Sequence, residues 1–143
     1  MEAAPKQLLL ATNEWVHKEM IDAEPFYEHA FAQYEAGQLD AAIETFRILC
    51  TRHPLEGKFW FGLAATLQEK RTYDEAIQAW AVTAVLKTTD PYPHFHAAEC
   101  YFSQRNLEDA TLALDEAARR LREDDPLQEK VAFLRDQWNI GRN

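Results

Sequence analysis

The chain has 143 residues, a length typical of one domain with one continuous core, and 47% of them are hydrophobic. Its formal net charge of −9 argues against a nucleic-acid partner, because phosphate binding requires a clustered basic face. No apolar run approaches the length of a membrane span, so stable membrane insertion is not expected. Two cysteines without a secretory signal indicate free thiols in a reducing cytoplasm, and the dominance of good helix formers predicts an all-α fold.

The first predicted element is a helix within residues 1–22. Its apolar side chains are spread around the helix instead of forming one stripe. They are Leu8, Leu9, Trp15, Val16 and Met20. A helix that is apolar on more than one side usually has more than one neighbour. We therefore expect these residues to form a dimerisation surface, and the protein to be a homodimer.

Residues 23–124 repeat with a period of 34. The recurring positions include Ala42, Ala76 and Ala110, and likewise Phe46, Trp80 and Leu114. Small residues recur where two helices approach closely, and large apolar ones recur where a helix pair must fill space. A helix–turn–helix unit of this length is typical of the tetratricopeptide repeat. The chain resembles that family over three units, 23–56, 57–90 and 91–124, and we expect a short right-handed solenoid with a concave groove.

Local signals mark the helix ends within these units. Thr72 followed by Glu75 predicts a capping box at the second helix of the middle unit. Asn106 is predicted to cap the matching helix of the third unit, and Gly37 to lie in the turn of the first.

The last predicted element is a helix within residues 125–143. Leu127, Val131, Leu134 and Trp138 are spaced four, three and four residues apart, which gives one apolar stripe. A terminal repeat of a solenoid needs such a cover. The single domain is therefore predicted to comprise one flanking helix at each end and three repeats between them.

The stretch FHAAECYF, residues 95–102, places His96, Glu99 and Cys100 within about one helical turn. Structural zinc requires four ligands and usually shows paired Cys/His spacings, which are missing here. A Cys–His nucleophile requires a cleft and an oxyanion donor, and the sequence indicates neither. We therefore predict no metal, no cofactor and no enzymatic activity. In the repeat pattern Cys100 falls beside the packing seam, whereas His96 and Glu99 face the groove.

The groove is predicted from the family pattern, in which the first helix of each unit lines the concave surface. The matching residues are Tyr27, Phe31 and Tyr34 in the first unit, Lys58, Phe61, Ala65 and Gln68 in the second, and Tyr92, Phe95, His96, Glu99 and Phe102 in the third. Aromatic residues at helical spacing are more often core, and the flanking helices are an alternative cover for several of them. An aromatic surface that is additional to a filled core predicts a binding site.

The groove also indicates what kind of ligand it takes. Some tetratricopeptide proteins clamp an acidic C-terminal tail with Lys, Asn and Arg, but here those positions hold Tyr27, Phe31, Gly62, Tyr92 and His96. A carboxylate tail is therefore a poor candidate. An extended segment with Leu, Val or Pro side chains fits the aromatic surface better.

Three stretches carry a narrower resemblance: YEAGQLDAAIETFRILC, FWFGLAATLQEKRTYDEAIQAW and FHAAECYFSQRNLEDA. The last is the most specific, because a general tetratricopeptide unit does not require His–Ala–Ala–Glu–Cys. From Phe26 to about Arg120 the chain resembles the class II chaperones of type III secretion, the SycD/LcrH/CesD family.

This resemblance implies a chaperone of the bacterial cytoplasm. It implies that the groove binds an N-terminal segment of hydrophobic translocator proteins through proline and leucine side chains before export. It also implies a homodimer formed through the N-terminal helices. The alternative is a general tetratricopeptide adaptor that scaffolds a protein complex. The two differ in their clients, because a translocator contains membrane-spanning segments and the partner of an adaptor need not.

Overall fold

A computed structural model describes residues 23–138, which form seven α-helices and no strand. The helices are α1 (Glu24–Glu35), α2 (Leu39–Arg52), α3 (Gly57–Glu69), α4 (Tyr73–Leu86), α5 (Tyr92–Ser103), α6 (Leu107–Arg119) and α7 (Leu127–Gln137). Consecutive helices pack on one another, and α1–α2, α3–α4 and α5–α6 form three helix–turn–helix units. The predicted all-α tetratricopeptide fold is confirmed.

The predicted N-terminal helix and its dimerisation residues Leu8, Leu9, Trp15, Val16 and Met20 lie outside the described residues. Within residues 23–138, no helix is both long and apolar enough to cross a bilayer.

The same left-handed turn joins the two helices of every unit. Gly37, Arg71 and Arg105 are 34 residues apart and have φ values of 76°, 67° and 62°. One residue later, a backbone N–H donates to a carbonyl five positions back. The pairs are Gln38 to Gln33, Thr72 to Leu67 and Asn106 to Tyr101, each at 2.9 Å. This is a Schellman-type helix end, in which a left-handed residue lets the chain reverse. The turn predicted at Gly37 is confirmed, and two units form it with arginine.

Only one of the two predicted helix caps forms. The Asn106 carboxamide oxygen accepts a hydrogen bond from the backbone N–H of Asp109 at 3.1 Å, so this cap is confirmed. Thr72 occupies the matching position before α4, but its side chain makes no capping hydrogen bond, and the predicted capping box with Glu75 is wrong. The backbone angles of the two residues are similar, so the difference lies in the side chains.

The core follows the repeat. The recurrent alanines Ala30, Ala64 and Ala98, and Ala42, Ala76 and Ala110, are completely buried where helices approach each other. One cluster surrounds Phe46, Leu63 and Trp80, and a second joins Leu114 of α6 to Leu127 and Val131 of α7. The stripe predicted on the last helix therefore covers the third unit, as expected.

Candidate functional site

A depression in the groove lies between α1 and α3 and has a volume of about 300 Å³. We call it the aromatic pocket. It is lined by Tyr27, Phe31, Tyr34, Phe46, Lys58, Phe61, Gly62, Ala65, Lys87 and Asp90. The structure thus brings together all three groove residues predicted in the first unit and three of the four predicted in the second.

Aromatic rings form a continuous wall on the α1 side of this pocket. The Phe31 ring lies 6.2 Å from that of Tyr27 and 6.1 Å from that of Tyr34, between ring centroids. Phe31 keeps 44% of its surface exposed, so an apolar face is open to a ligand. This wall can accept an aliphatic or proline side chain, since burying such a group is worth about 1.5–3 kcal/mol.

Lys58 supplies the cation at the edge of the aromatic pocket. Its ammonium nitrogen lies 4.9 Å from the centroid of the Tyr27 ring and pairs with the Glu24 carboxylate. The hydrogen bond to Glu24 raises the pKa of Lys58 above its ordinary value. The lysine therefore stays charged, and it borders a mainly apolar cavity that Lys87 and Asp90 also line.

Gly62 shapes the floor of the aromatic pocket, and the sequence analysis did not assign it this role. A methyl group built at its Cα would lie 2.3 Å from Cε1 of Phe46, a distance that no real contact tolerates. The missing side chain lets the buried Phe46 ring approach α3. Glycine inside a helix costs roughly 1 kcal/mol relative to alanine. Its position in the middle of an otherwise regular helical stretch was the available signal.

Hydrogen-bonded side chains join α3, α4 and α5 near the middle of the groove, in what we call the polar bridge: Trp80, Gln68, Glu99 and His96. The Trp80 indole N–H donates to the Gln68 carboxamide oxygen at 2.9 Å, and the Gln68 amide nitrogen donates to Glu99 at 3.1 Å. The same Glu99 oxygen is 2.7 Å from Nδ1 of His96. The His96 ring stacks on Trp80 at 4.9 Å between centroids, which completes the circuit.

The polar bridge explains the stretch FHAAECYF. His96 and Glu99 bind each other and two neighbouring helices, whereas Cys100 is completely buried. Burial raises the pKa of Cys100 to about 12, and that of Cys50 likewise to about 12. Both thiols are therefore neutral at physiological pH, whereas thiol nucleophiles and metal ligands require the thiolate. Across residues 23–138, no three His, Cys, Asp or Glu side chains converge as a potential metal-ion site.

A second depression, between α5 and α7, is a more open space of about 520 Å³, which we call the distal pocket. It is lined by Phe95, His96, Glu99, Glu129, Lys130, Phe133 and Leu134. The first three were predicted groove residues, and the four from α7 were not. The sequence does contain a signal for three of the α7 residues, because Glu129, Lys130 and Phe133 follow Phe95, His96 and Glu99 by one further period of 34.

Three of the predicted groove residues have a different environment from the one expected. Phe95 lines the distal pocket but is only 5% exposed and belongs to the core cluster with Leu127 and Val131, so the expectation that its ring is exposed is wrong. The ring is buried because α7 packs over the third unit. Tyr92 packs on the same cluster, and Phe102 stacks on Trp138 at 4.5 Å. Tyr92 and Phe102 lie in neither pocket.

The remaining predictions need one refinement. Phe61 and Tyr34 were expected to be separate from the packing of the repeat. Both are only partly buried, yet both pack against the first core cluster, and the Phe61 ring meets Trp80 edge-on at 4.8 Å. Each residue therefore contributes to the fold as well as to the pocket wall.

Stacked helix pairs with a lined groove define a tetratricopeptide-repeat protein, and the sequence profile of the tetratricopeptide repeat matches residues 27–93. Chaperone protein SicA of Salmonella typhimurium is 32% identical over 124 residues, which cover 85% of this chain and 73% of SicA. The chain therefore belongs to the class II translocator chaperones of type III secretion.

Low calcium response locus protein H of Yersinia pestis is 34% identical over 91 residues, which make up 64% of this chain and 54% of that protein. The chain thus spans about half the length of this relative.

The crystal structures of SycD from Yersinia enterocolitica are similar to this fold. SycD in complex with a peptide of the translocator YopD matches with a TM-score of 0.79 and 28% identity, over 85% of this chain and 95% of SycD. A second SycD structure, an alternative dimer, matches with a TM-score of 0.77 and 29% identity, over 81% of this chain and 90% of SycD.

Proposed function

We propose that this protein is a chaperone that holds an N-terminal segment of a type III secretion translocator in its groove before export. The observation that carries the proposal is the aromatic pocket, an open apolar cavity of about 300 Å³ on the groove face of a translocator-chaperone fold. The similarity to SycD, which binds a peptide of YopD, supports the same client class here. The role belongs to the bacterial cytoplasm, where a translocator has to be kept in solution before its export.

Anchor residues account for the expected affinity of such a segment. Two or three apolar side chains buried in the groove contribute about 5–8 kcal/mol in total. Ordering a flexible segment offsets about 2–5 kcal/mol of this gain. A short segment alone should therefore bind weakly. Weak binding by a short segment suits a chaperone that must release its client to a secretion apparatus.

The chemistry of the groove favours binding over catalysis. The two thiols of the chain are buried in the core and protonated, since both pKa values are about 12. The imidazole of His96 is held between Glu99 and the Trp80 ring. We therefore place the protein among binding proteins and not among enzymes.

The proposal includes a homodimer. The support is the spread of Leu8, Leu9, Trp15, Val16 and Met20 around the predicted first helix, together with the dimer of SycD. Light scattering of the full-length chain at micromolar concentration tests this. Removal of residues 1–21 should give a folded monomer, because three repeats and α7 retain their own core. A full-length monomer contradicts the dimer proposal and leaves the groove proposal intact.

Co-expression tests the chaperone function directly. The translocator of the same secretion system is produced alone, with this protein, and with its Phe61→Ala variant. We expect the translocator to stay in the supernatant and co-purify only with the wild-type chaperone. An adaptor instead of a chaperone would leave the translocator aggregated in all three preparations, and this outcome contradicts the proposal.

A further inference from the structure

The groove does not end with the third unit, because α7 continues it. Glu129, Lys130 and Phe133 repeat the groove positions of α5 one period later, and all three line the distal pocket. Phe133 is 61% exposed, while its neighbour Leu134 is partly buried against the second core cluster. A helix that only capped the solenoid would need its buried stripe and no apolar ring on the groove face.

The two pockets adjoin each other along the groove. The ring of Phe61, which lines the aromatic pocket, lies 6.1 Å from the ring of His96, which lines the distal pocket. An extended segment that leaves the aromatic pocket along the groove therefore passes directly into the distal pocket. Because the polar groups of the bridge bind one another, the segment meets no unpaired buried group at this crossing.

We propose that the distal pocket is a second anchor site for the same translocator segment, in which α7 supplies the contact. This inference rests on the proposed function. The ligand is an apolar side chain that packs on Phe133 and Leu134. The carboxylates of Glu99 and Glu129 outnumber the ammonium of Lys130, so a basic or uncharged neighbour of the anchor is favoured and an acidic one is disfavoured.

The geometry sets a minimum spacing between the two anchors. The aromatic pocket lies between α1 and α3, and the distal pocket between α5 and α7, two steps along the row of groove helices. A helix with its side chains is about 10 Å across, so the steps span about 20 Å. An extended residue covers about 3.3 Å, which separates the anchors by at least about six residues.

Matched variants test this site. The probe is the N-terminal region of the translocator of the same system, fused to maltose-binding protein, and a set of fusions shortened from either end. Phe133→Ser is compared with Leu112→Ser, because Leu112 is 59% exposed but lines a depression among α4, α5 and α6 instead of the groove. Calorimetry measures the affinity of the wild type and of each variant for each fusion.

We expect Phe133→Ser to weaken binding of the full N-terminal region about tenfold and Leu112→Ser to leave it unchanged. A shortened fusion that has lost the second anchor should bind the wild type and Phe133→Ser equally. The proposal is overturned if the wild type and Phe133→Ser bind every fusion with equal affinity. It is also overturned if Phe133→Ser weakens binding of every fusion by the same factor, because the loss would then not depend on the second anchor. If no fusion binds the wild type, the proposed function itself fails, which is a distinguishable result.

Cross-linking identifies what occupies the pocket. A photoreactive benzoyl-phenylalanine replaces Phe133 in the full chain, and a second sample carries it at Leu112. Irradiation with the bound fusion should attach the translocator at position 133 and not at position 112. Attachment of position 133 to a second copy of this chain, or to its own residues 1–22, overturns the proposal because the pocket would already be covered.

Discussion

The two ends of the groove are built on the same repeat positions but present different chemistry. The aromatic pocket is walled by Tyr27, Phe31 and Tyr34, whereas the matching space between α5 and α7 has the carboxylates of Glu99 and Glu129 and the ammonium of Lys130 beside Phe133. A side chain in the first pocket is held mainly by contact with aromatic rings, and the charged residues of the lining are Lys58, Lys87 and Asp90. In the second pocket the charge of the client residues next to that side chain also affects binding. The 34-residue period sets the course of the groove. The residues at the repeated positions decide which client side chains each end accepts.

A side chain added at Gly62, on the floor of the aromatic pocket, should destabilise the fold more than any other substitution considered below. Gly62→Ala places a methyl group against the buried Phe46 ring and should destabilise the fold by about 2–3 kcal/mol. It should also close the pocket to a client side chain. Gly57→Ala is the control, because the added methyl there meets only the flexible Lys87 side chain. Urea unfolding of both variants measures the difference. Equal stability of Gly62→Ala and Gly57→Ala would refute the packing of Phe46 under α3.

Removing a wall of the aromatic pocket should have the next largest effect. Phe61→Ala is expected to weaken translocator binding by about 2 kcal/mol. Phe31→Ala should act in the same direction with little cost to the fold, because its ring is 44% exposed and contacts other groove rings. Val85→Ala is the control, since Val85 is 74% exposed and lines neither groove pocket. Calorimetry with the N-terminal region of the translocator gives the affinities. Normal binding by both phenylalanine variants would mean that the client binds elsewhere.

Breaking the polar bridge should lower the stability of the fold moderately. Gln68→Ala removes the acceptor of the buried Trp80 indole N–H and one donor to Glu99. An unsatisfied buried donor is expected to lower the free energy of unfolding by about 1–2 kcal/mol. Gln78→Ala, at an exposed position of α4, makes the same substitution without that loss. Thermal unfolding compares the two. If they unfold at the same temperature, Gln68 does not hold Trp80 in place.

Substitutions in two of the left-handed turns should have opposite effects. Arg105→Gly should raise the free energy of unfolding, and Gly37→Ala should lower it. Arg105 has a φ of 62°, which costs a residue with a side chain about 1 kcal/mol, and Arg105→Gly removes that strain. Greater freedom of glycine in the unfolded chain offsets part of this, so we expect a net gain of about 0.5 kcal/mol. Gly37→Ala should lose about 1 kcal/mol, although no atom lies within 4 Å of the added methyl group. Urea midpoints of the two variants should therefore move in opposite directions.

The last prediction is that Cys50 and Cys100 do not react with thiol reagents in the folded protein. Burial raises the pKa of Cys50 and of Cys100 to about 12, so both stay protonated in the folded protein at pH 8. A thiol-specific disulfide reagent should label neither cysteine until urea unfolds the chain. In the unfolded chain a thiol ionises near pH 8.5, so the thiols stabilise the fold below that pH and this contribution is lost as pH rises. Rapid labelling of the native protein at pH 8 would contradict the burial of both residues.

The all-α fold, the phase of the repeat and the course of the groove could be predicted from the order of the residues. Alanines 34 residues apart identify the surfaces where helices touch, because no larger side chain fits there. Once the phase is known, helical geometry assigns a face to each residue, and six of the predicted groove residues do line the aromatic pocket. The same phase, extended by one more period, points to Glu129, Lys130 and Phe133.

Which groove residues are exposed depends on how the helices pack together. Phe95 has a groove position in the repeat, but α7 comes back over it and the ring becomes core. The fit of Phe46 beneath Gly62 and the circuit from Trp80 through Gln68 to Glu99 each join different helices. Local pattern fixes the direction of a side chain relative to its own helix. Burial and hydrogen-bond partners depend on residues that are 12 to 31 positions away, and these are set when the helices pack.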